Sequence, residues 1–337
     1  MIEVKQRTAL AIVTILLSLC LTATTAAVSL SLQHNGSTTH AWQIGAEYMS
    51  TELTRLSANR VSMMIYPAGI LSGHTPPKML NQIQTGVVDI MVESLDFFAE
   101  LSEGLWSMYT PFLFDDVDHF NRFRRNIPLA LVNTMGNFDD HNLALIGLWP
   151  LSFNQYLGKE RTLTKPKDLT GSMMRMPPLP SFLDPSSSLG LKTVPLPASD
   201  TYTAYQLGTI NGENNSIANL YEYQTFKLAS YLTIWNYAPN IGLVVMNKDA
   251  WNSLPPDVQD MIIQAATEAG EVVLQQEKTV EARNVRYMIE HGVKIRQLSE
   301  PERQAFKQAV VPTWDNIGRI LGEDTFEALL TAVQDAR

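Results

Sequence analysis

Titratable and nucleophilic side chains are plentiful in these 337 residues, but few stand at spacings that chemistry requires. No G-x-G-x-x-G or G-x-x-x-x-G-K-[ST] segment offers a phosphate cradle, and no G-x-S-x-G sets a serine on a nucleophile elbow. The six histidines (His34, His40, His74, His119, His141 and His291) are scattered, without the H-E-x-x-H spacing that puts two ligands on one helix face. Asp139-Asp140-His141 has the residue types of a metal fragment but the context of a solvated turn. Asp115-Asp116 with Asp118 reads as a helix start. The one cysteine, Cys20, excludes a thiolate metal cage and a disulfide framework. No metal and no cofactor is therefore assigned. The most pointed chemistry belongs to Arg175, at the end of a short apolar strand. A guanidinium there presents a planar fork that matches a carboxylate bidentately. Buried, it is costly without an anion. Either a bound acid or a neighbouring Asp or Glu in a structural ion pair would meet that need. Asn215 is similarly two-sided. Its amide can donate to a carboxylate and accept from a hydroxyl, or simply form a turn near Gly212.

The elements that carry these residues alternate between strand and helix. Residues 28–33 form a strand that runs into the loop His34-Asn35-Gly36-Ser37-Thr38-Thr39, and 41–56 has helical spacing. A strand at 60–66 is stopped by Pro67 and Gly69. A helix at 77–85 is closed by Gly86, followed by a strand at 87–92, a helix at 120–135 and a strand at 143–149. The second half repeats the grammar, with strands at 172–176, 193–196, 228–235 and 242–246 and a helix at 200–207 that Gly208 ends. Such alternation predicts an α/β fold with a largely parallel sheet. From Ser253-Leu-Pro-Pro-Asp onward, Val258, Met261, Ile262, Ala265, Ala266, Ala269, Val272 and Val273 keep helical spacing, with Ser253 as the cap. The pattern continues to Glu290, a length of roughly 50 Å at about 1.5 Å per residue. It is either broken near Gly270 or a strut across two lobes.

Hydrophobic residues make up 45% and charged residues 18%, which excludes a disordered chain and supplies material for buried cores. The length predicts two domains. The formal charge of −9, without a basic block, argues against a nucleic-acid partner. Residues 1–27 have the three parts of a secretory signal: Lys5 and Arg7, an apolar run at 9–21, and small residues ending in Ala26-Ala27. The run is short of the roughly 20 residues a membrane anchor needs. Leu19 is too bulky for a lipobox before Cys20. Cleavage after Ala27 removes the only cysteine and makes the chain one charge more negative. The exported protein must then be held together by packing alone.

Six segments, taken together in order and spacing, resemble a known family. They are Tyr66-Pro-Ala-Gly-Ile-Leu, Gln82-Ile-Gln-Thr-Gly-Val-Val-Asp-Ile, Tyr109-Thr-Pro-Phe-Leu-Phe, Pro166-Lys-Asp-Leu-Thr-Gly-Ser-Met-Met-Arg-Met-Pro, Val194-Pro-Leu-Pro-Ala-Ser-Asp-Thr-Tyr-Thr-Ala-Tyr-Gln-Leu-Gly-Thr-Ile-Asn-Gly and Trp251-Asn-Ser-Leu-Pro-Pro-Asp-Val-Gln. From residue 28 to 325 the chain resembles the solute-binding proteins of TRAP transporters (tripartite ATP-independent periplasmic), of the DctP dicarboxylate-binding type. The resemblance implies a two-lobed periplasmic binding protein fold with a long helix spanning both lobes. Lobe I would comprise 28–151 and 240–278, and lobe II 152–239 and 279–337, with crossing segments near 150–152 and 239–242. It implies a periplasmic receptor, not an enzyme, that captures a small organic acid by hinge closure and delivers it to membrane permease subunits. An exported α/β enzyme acting on a small acid, or a ligand sensor for a membrane receptor, are the alternatives.

The resemblance also implies a site. Arg175 matches the arginine that pairs with the ligand carboxylate. Asn215 matches an asparagine of a D-G-Q-E-N-P stretch, although Asn214 and Ser216 depart from that pattern. Glu93 aligns with a pocket position of members that bind sugar acids. His34 and Asn35 fall where the first lobe contacts ligand. Trp149 would stack on the ligand or fill the core. Asn154 stands where many members carry a second arginine, which reduces the positive charge of the site. A monocarboxylate with hydroxyl or oxo groups is therefore expected over a dicarboxylate.

Overall fold

A computed structural model describes residues 28–73, 75–99, 101–178 and 180–337. The expected signal segment, 1–27, lies outside the described residues. β1 (Val28–His34) pairs in parallel with β2 (Val61–Tyr66) and with β3 (Ile90–Ser94). β4 (Leu143–Gly158) is long enough to serve two lobes. Its first half pairs with β9 (Pro239–Asn247), and its second half with β7 (Gly212–Ser216) and β8 (Tyr231–Ile234). β5 (Met173–Met176) and β6 (Lys192–Pro195) extend the second lobe beyond β7, and β10 (Lys294–Gln297) pairs with β8. The strand order is β2-β1-β3-β9-β4-β7-β5-β6.

The expectation of a largely parallel sheet holds only for β2-β1-β3, for β7-β5-β6 and for β8-β10, away from the crossing strands. β9 is antiparallel to both β3 and β4, and β4 is antiparallel to β7 and β8. The chain leaves the first lobe on β4 and returns on β9, so the two crossing strands run in opposite senses. β4 does not stop at Trp149 as expected. It continues through Pro150, where the register with β9 slips between Pro150 and Phe153. A proline that cannot donate to the ladder fits such an irregularity.

Among the helices that pack against these strands are α1 (Ala41–Leu56), α2 (Val117–Asn126), α3 (Ile217–Glu222) and α4 (Pro256–Glu290). α4 is one unbroken helix of 35 residues. Its Val258, Ile262, Ala265, Ala266, Ala269 and Val273 are buried against α1 and the first sheet, as their spacing predicts. Gly270 does not break it. A Cβ there would stand 2.5 Å from Arg124 Nη1, so the glycine makes room for a guanidinium that donates to the Thr267 carbonyl at 3.1 Å and pairs with Glu271. Ser253 is not the cap of α4. It ends the short helix Lys248–Ser253, and its hydroxyl donates back to the Ala250 carbonyl. The helix expected at 120–135 is two, α2 and Leu129–Met135, because Pro128 cannot continue α2.

Part of the segment 279–337 packs on residues of the range expected for lobe I. Trp314–Leu321 packs on Glu103–Tyr109, and Glu323–Asp335 packs on α2 and on Leu129–Met135. The last two helices therefore pack on elements that precede β4 in the chain. Arg122 Nε, which donates to the Ala336 carbonyl at 2.7 Å, ties the end of the chain there.

Candidate functional site

The parallel register of β1 and β3 sets His34 level with Val92, so the residues that come next, Asn35 and Glu93, meet. The Asn35 N–H donates to Glu93 Oε1 at 3.2 Å, and the Ser94 N–H donates to Oε2 at 3.2 Å. Glu93 is 1% exposed. Burial pushes its carboxyl up to about 7, against the two N–H groups that favour the charged form. A folded pKa above the ordinary value gives stability that is complete at low pH and is lost as pH rises through about 7. Glu93→Gln is therefore expected to stabilise the unliganded protein above about pH 8, by up to about 3 kcal/mol at 1.36 kcal/mol per pKa unit. It should do little below about pH 5. Thermal melts across this range check it, and an equal gain at both ends would place the cause elsewhere. His34 is fully buried beside this pair, with Nε2 2.9 Å from Gln43 Oε1, and burial lowers its pKa. It belongs to the wall's interior, not to its surface.

On the opposite wall β5 and β7 bring Arg175 level with Glu213. Arg175 is 4% exposed. Its Nε donates to the Leu196 carbonyl at 2.8 Å and its Nη1 to the Asn214 carbonyl at 3.1 Å. Burial lowers its pKa, and the Glu213 carboxylate opposes that at longer range. No described Asp or Glu forms an ion pair with Arg175, and among the described residues Nη2 has no acceptor. Two backbone carbonyls thus hold the guanidinium in place without neutralising it.

The Asn215 amide is spent within the second lobe. Nδ2 donates to Glu213 Oε2 at 3.1 Å, while Oδ1 accepts from the Ser216 N–H at 3.0 Å and from Asn219 Nδ2 at 2.9 Å. Ser216 caps α3, its Oγ accepting from the Asn219 N–H at 3.1 Å. Asn215 therefore orients Asn219. Asn154 lies level with Ser216 on the neighbouring strand. Its backbone bonds to Ala238 and Tyr237 on the return crossing, and its buried side-chain amide has no hydrogen bond among the described residues.

Between the walls lies a cleft of about 680 Å³. Asn35 and Asp96 line it from the first lobe, Asn219 and Glu222 from the second, Asn240 from β9 and Glu277 from α4. A recess of about 620 Å³ shares Asn35, Ser94 and Asp96 with the cleft and reaches Glu93. The Tyr109 hydroxyl donates to Asp96 Oδ1 at 3.2 Å. Tyr109 also begins a row of rings through Phe182, Tyr237 and Trp235, with successive centroids 5.5, 5.7 and 4.9 Å apart.

The seven residues picked from the sequence are thus divided. Asn35 lines the cleft and Glu93 the recess. Arg175, Asn215 and Asn154 are buried in the second lobe's wall and at the crossing. His34 and Trp149 are core residues. Trp149 is fully buried, and its Nε1 donates to the Ala266 carbonyl at 2.9 Å. Both its ring and its one donor are used inside the first lobe, which speaks for core packing over the stacking role. Sequence reasoning missed Asp96, Asn219, Glu222 and Glu277. Asp96 and Asn219 lie two or three residues past the ends of β3 and β7, a position that faces the crevice in α/β folds. Glu222 and Glu277 carried no signal, because a carboxylate on a helix looks solvated until the other lobe stands opposite. Among the described residues no group of three or more His, Cys, Asp or Glu converges as a metal site. No described helix is long and apolar enough to cross a membrane.

Two α/β lobes on crossing strands, a strut helix along both and a polar cleft between them define a two-lobed solute-binding protein. The chain belongs to family 7 of the bacterial extracellular solute-binding proteins, DctP, whose model matches residues 32–319. The resemblance read from the six segments is thereby confirmed. The C4-dicarboxylate-binding periplasmic protein DctP of Vibrio cholerae is 25% identical over 296 residues, which is 88% of this chain and 87% of that one. The 2,3-diketo-L-gulonate-binding periplasmic protein YiaO of Escherichia coli is 23% identical over 86% of each chain. A TRAP periplasmic solute-binding protein from Ochrobactrum anthropi, solved with its C-terminus in the ligand pocket, superposes with a TM-score of 0.82 at 23% identity. The match covers 93% of this chain and 97% of that one.

Proposed function

We propose that this protein is the periplasmic receptor of a TRAP transporter, exported by a signal segment at 1–27 and acting without chemistry of its own. It takes up a small organic acid between its lobes, closes about the crossings of β4 and β9, and delivers the acid to the membrane permease subunits. Lobe I is 28–151 and 240–278 together with the last two helices, and lobe II is 152–239 with the segment around β10. The observation that carries the reading is Arg175: buried, held by two backbone carbonyls, and in no close ion pair with a described carboxylate. A guanidinium so placed is completed by an acid from outside. The relatives named for C4-dicarboxylate and for a diketo sugar acid support an acidic solute. The uncharged Asn154 at the second arginine's place supports one carboxylate over two.

A thermal-shift panel on ligand-stripped protein tests this. A solute at about 100 times its dissociation constant adds roughly 2.7 kcal/mol, enough to move the midpoint by a few degrees. The shifts are expected from monocarboxylates, with succinate and malate at least about tenfold weaker by titration, or about 1.4 kcal/mol. A preference for succinate or malate would overturn the monocarboxylate assignment. Shifts from neutral sugars alone would overturn the acid receptor, and turnover of a bound acid would restore the enzyme alternative.

A further inference from the structure

The cleft has the wrong charge for a plain anion. The charged residues that line it, Asp96, Glu222 and Glu277, are all acidic, and among the described residues no lysine or arginine lines it. Glu93 adds a carboxyl in the adjoining recess. Arg175 stands behind the second lobe's wall, level with the buried Glu213. His40 also lines the cleft but supplies no positive charge, since burial, with His34 nearby, lowers its pKa to about 4. A solute that carries only a carboxylate would meet one guanidinium and an acidic lining, of which burial pushes Glu93 and, with Glu281 nearby, Glu277 up to about 7. A positive group on the same molecule reverses the sign of those contacts.

Trp42 gives independent evidence that this surface is completed by a solute. It lines the cleft, is 5% exposed, and its Nε1–H has no partner among the described residues. A buried donor left open is costly, and an acceptor on the solute would satisfy it. A metal ion bridging the acidic groups is disfavoured, because no three potential ligands converge among the described residues.

We propose that the solute is zwitterionic, with a carboxylate for Arg175 and a protonated or quaternary nitrogen for the carboxylates of Asp96 and Glu277. This rests on the receptor reading above and narrows it. A negatively charged receptor cleft then selects its acid by the cation attached to it.

The test is calorimetric titration of ligand-stripped protein with matched pairs: glycine betaine beside its nitrogen-free isostere, the tert-butylacetate anion, alanine beside lactate, and β-alanine beside its hydroxyl analogue. The nitrogen-bearing member of at least one pair is expected to bind about tenfold or more tightly than its partner. Asp96→Asn and Glu277→Gln should each weaken that member about 10- to 100-fold, the range of a lost charge-assisted contact. They should leave the nitrogen-free, anionic member unchanged or tighter. If tert-butylacetate or the hydroxy acids bind as well as their partners, or the two variants do not weaken the favoured solute, the zwitterion is overturned and the acid receptor stands. If no carboxylate of either kind binds, or binding survives Arg175→Ala, the acid receptor itself is overturned.

Discussion

Arg175→Ala is expected to abolish solute binding at concentrations that saturate the native protein. Truncating one partner of a buried, hydrogen-bonded charge pair costs about 2–5 kcal/mol, which is at least roughly 30-fold in Kd. The effect should sit at the upper end here, because no second cation among the described residues lines the cleft to compensate. Arg175→Lys should fail nearly as badly. One ammonium cannot reach the Leu196 and Asn214 carbonyls and also present a fork to a carboxylate. Arg175→Ala also removes the positive charge near the buried Glu213, so the unliganded protein should lose some stability. Melting of the unliganded variant separates that loss from the loss of affinity. A folded Arg175→Ala that binds as well as the native protein would make the residue a structural one.

Trp149→Ala is expected to have the largest effect on stability, about 3–5 kcal/mol, the cost of removing a large aromatic from a packed core. That is a substantial part of the roughly 5–15 kcal/mol that holds a domain folded. The site is tight. A Cβ added at Gly45 would come within 3.0 Å of the Trp149 ring, so α1 packs directly on it. The indole N–H donates to the Ala266 carbonyl, which ties β4 to α4. Trp149→Phe keeps much of the volume and should cost less, with the Kd of the folded protein unchanged. Denaturant unfolding gives the first quantity and titration the second. If Trp149→Phe loses affinity while keeping stability, the indole touches solute and core packing is not its role.

The long helix was legible because its evidence is local. Val258, Ile262, Ala265, Ala266, Ala269 and Val273 repeat with helical spacing, and each is buried where that spacing puts it. The break at Pro128 was equally local in cause but was hidden by the apolar pattern on both sides of it. Arg175 was legible as chemistry, since a guanidinium at a strand end has few roles. Its freedom from an ion pair was not, because that depends on which residues of β6 and β7 lie beside it.

Residue types and their periodicity were enough to establish an α/β chain with helical spacing from Val258 towards Glu290, no motif of common catalysis and a candidate anion-binding arginine. Each of those properties is written within a few turns or a few strand residues. The antiparallel crossing of β4 and β9, the packing of the last helices on elements that precede β4, and the placing of Asp96, Glu222 and Glu277 around one cleft depend on three-dimensional packing. They arise from contacts between segments far apart in the chain. Periodicity records which face of an element is buried, but not which distant element buries it.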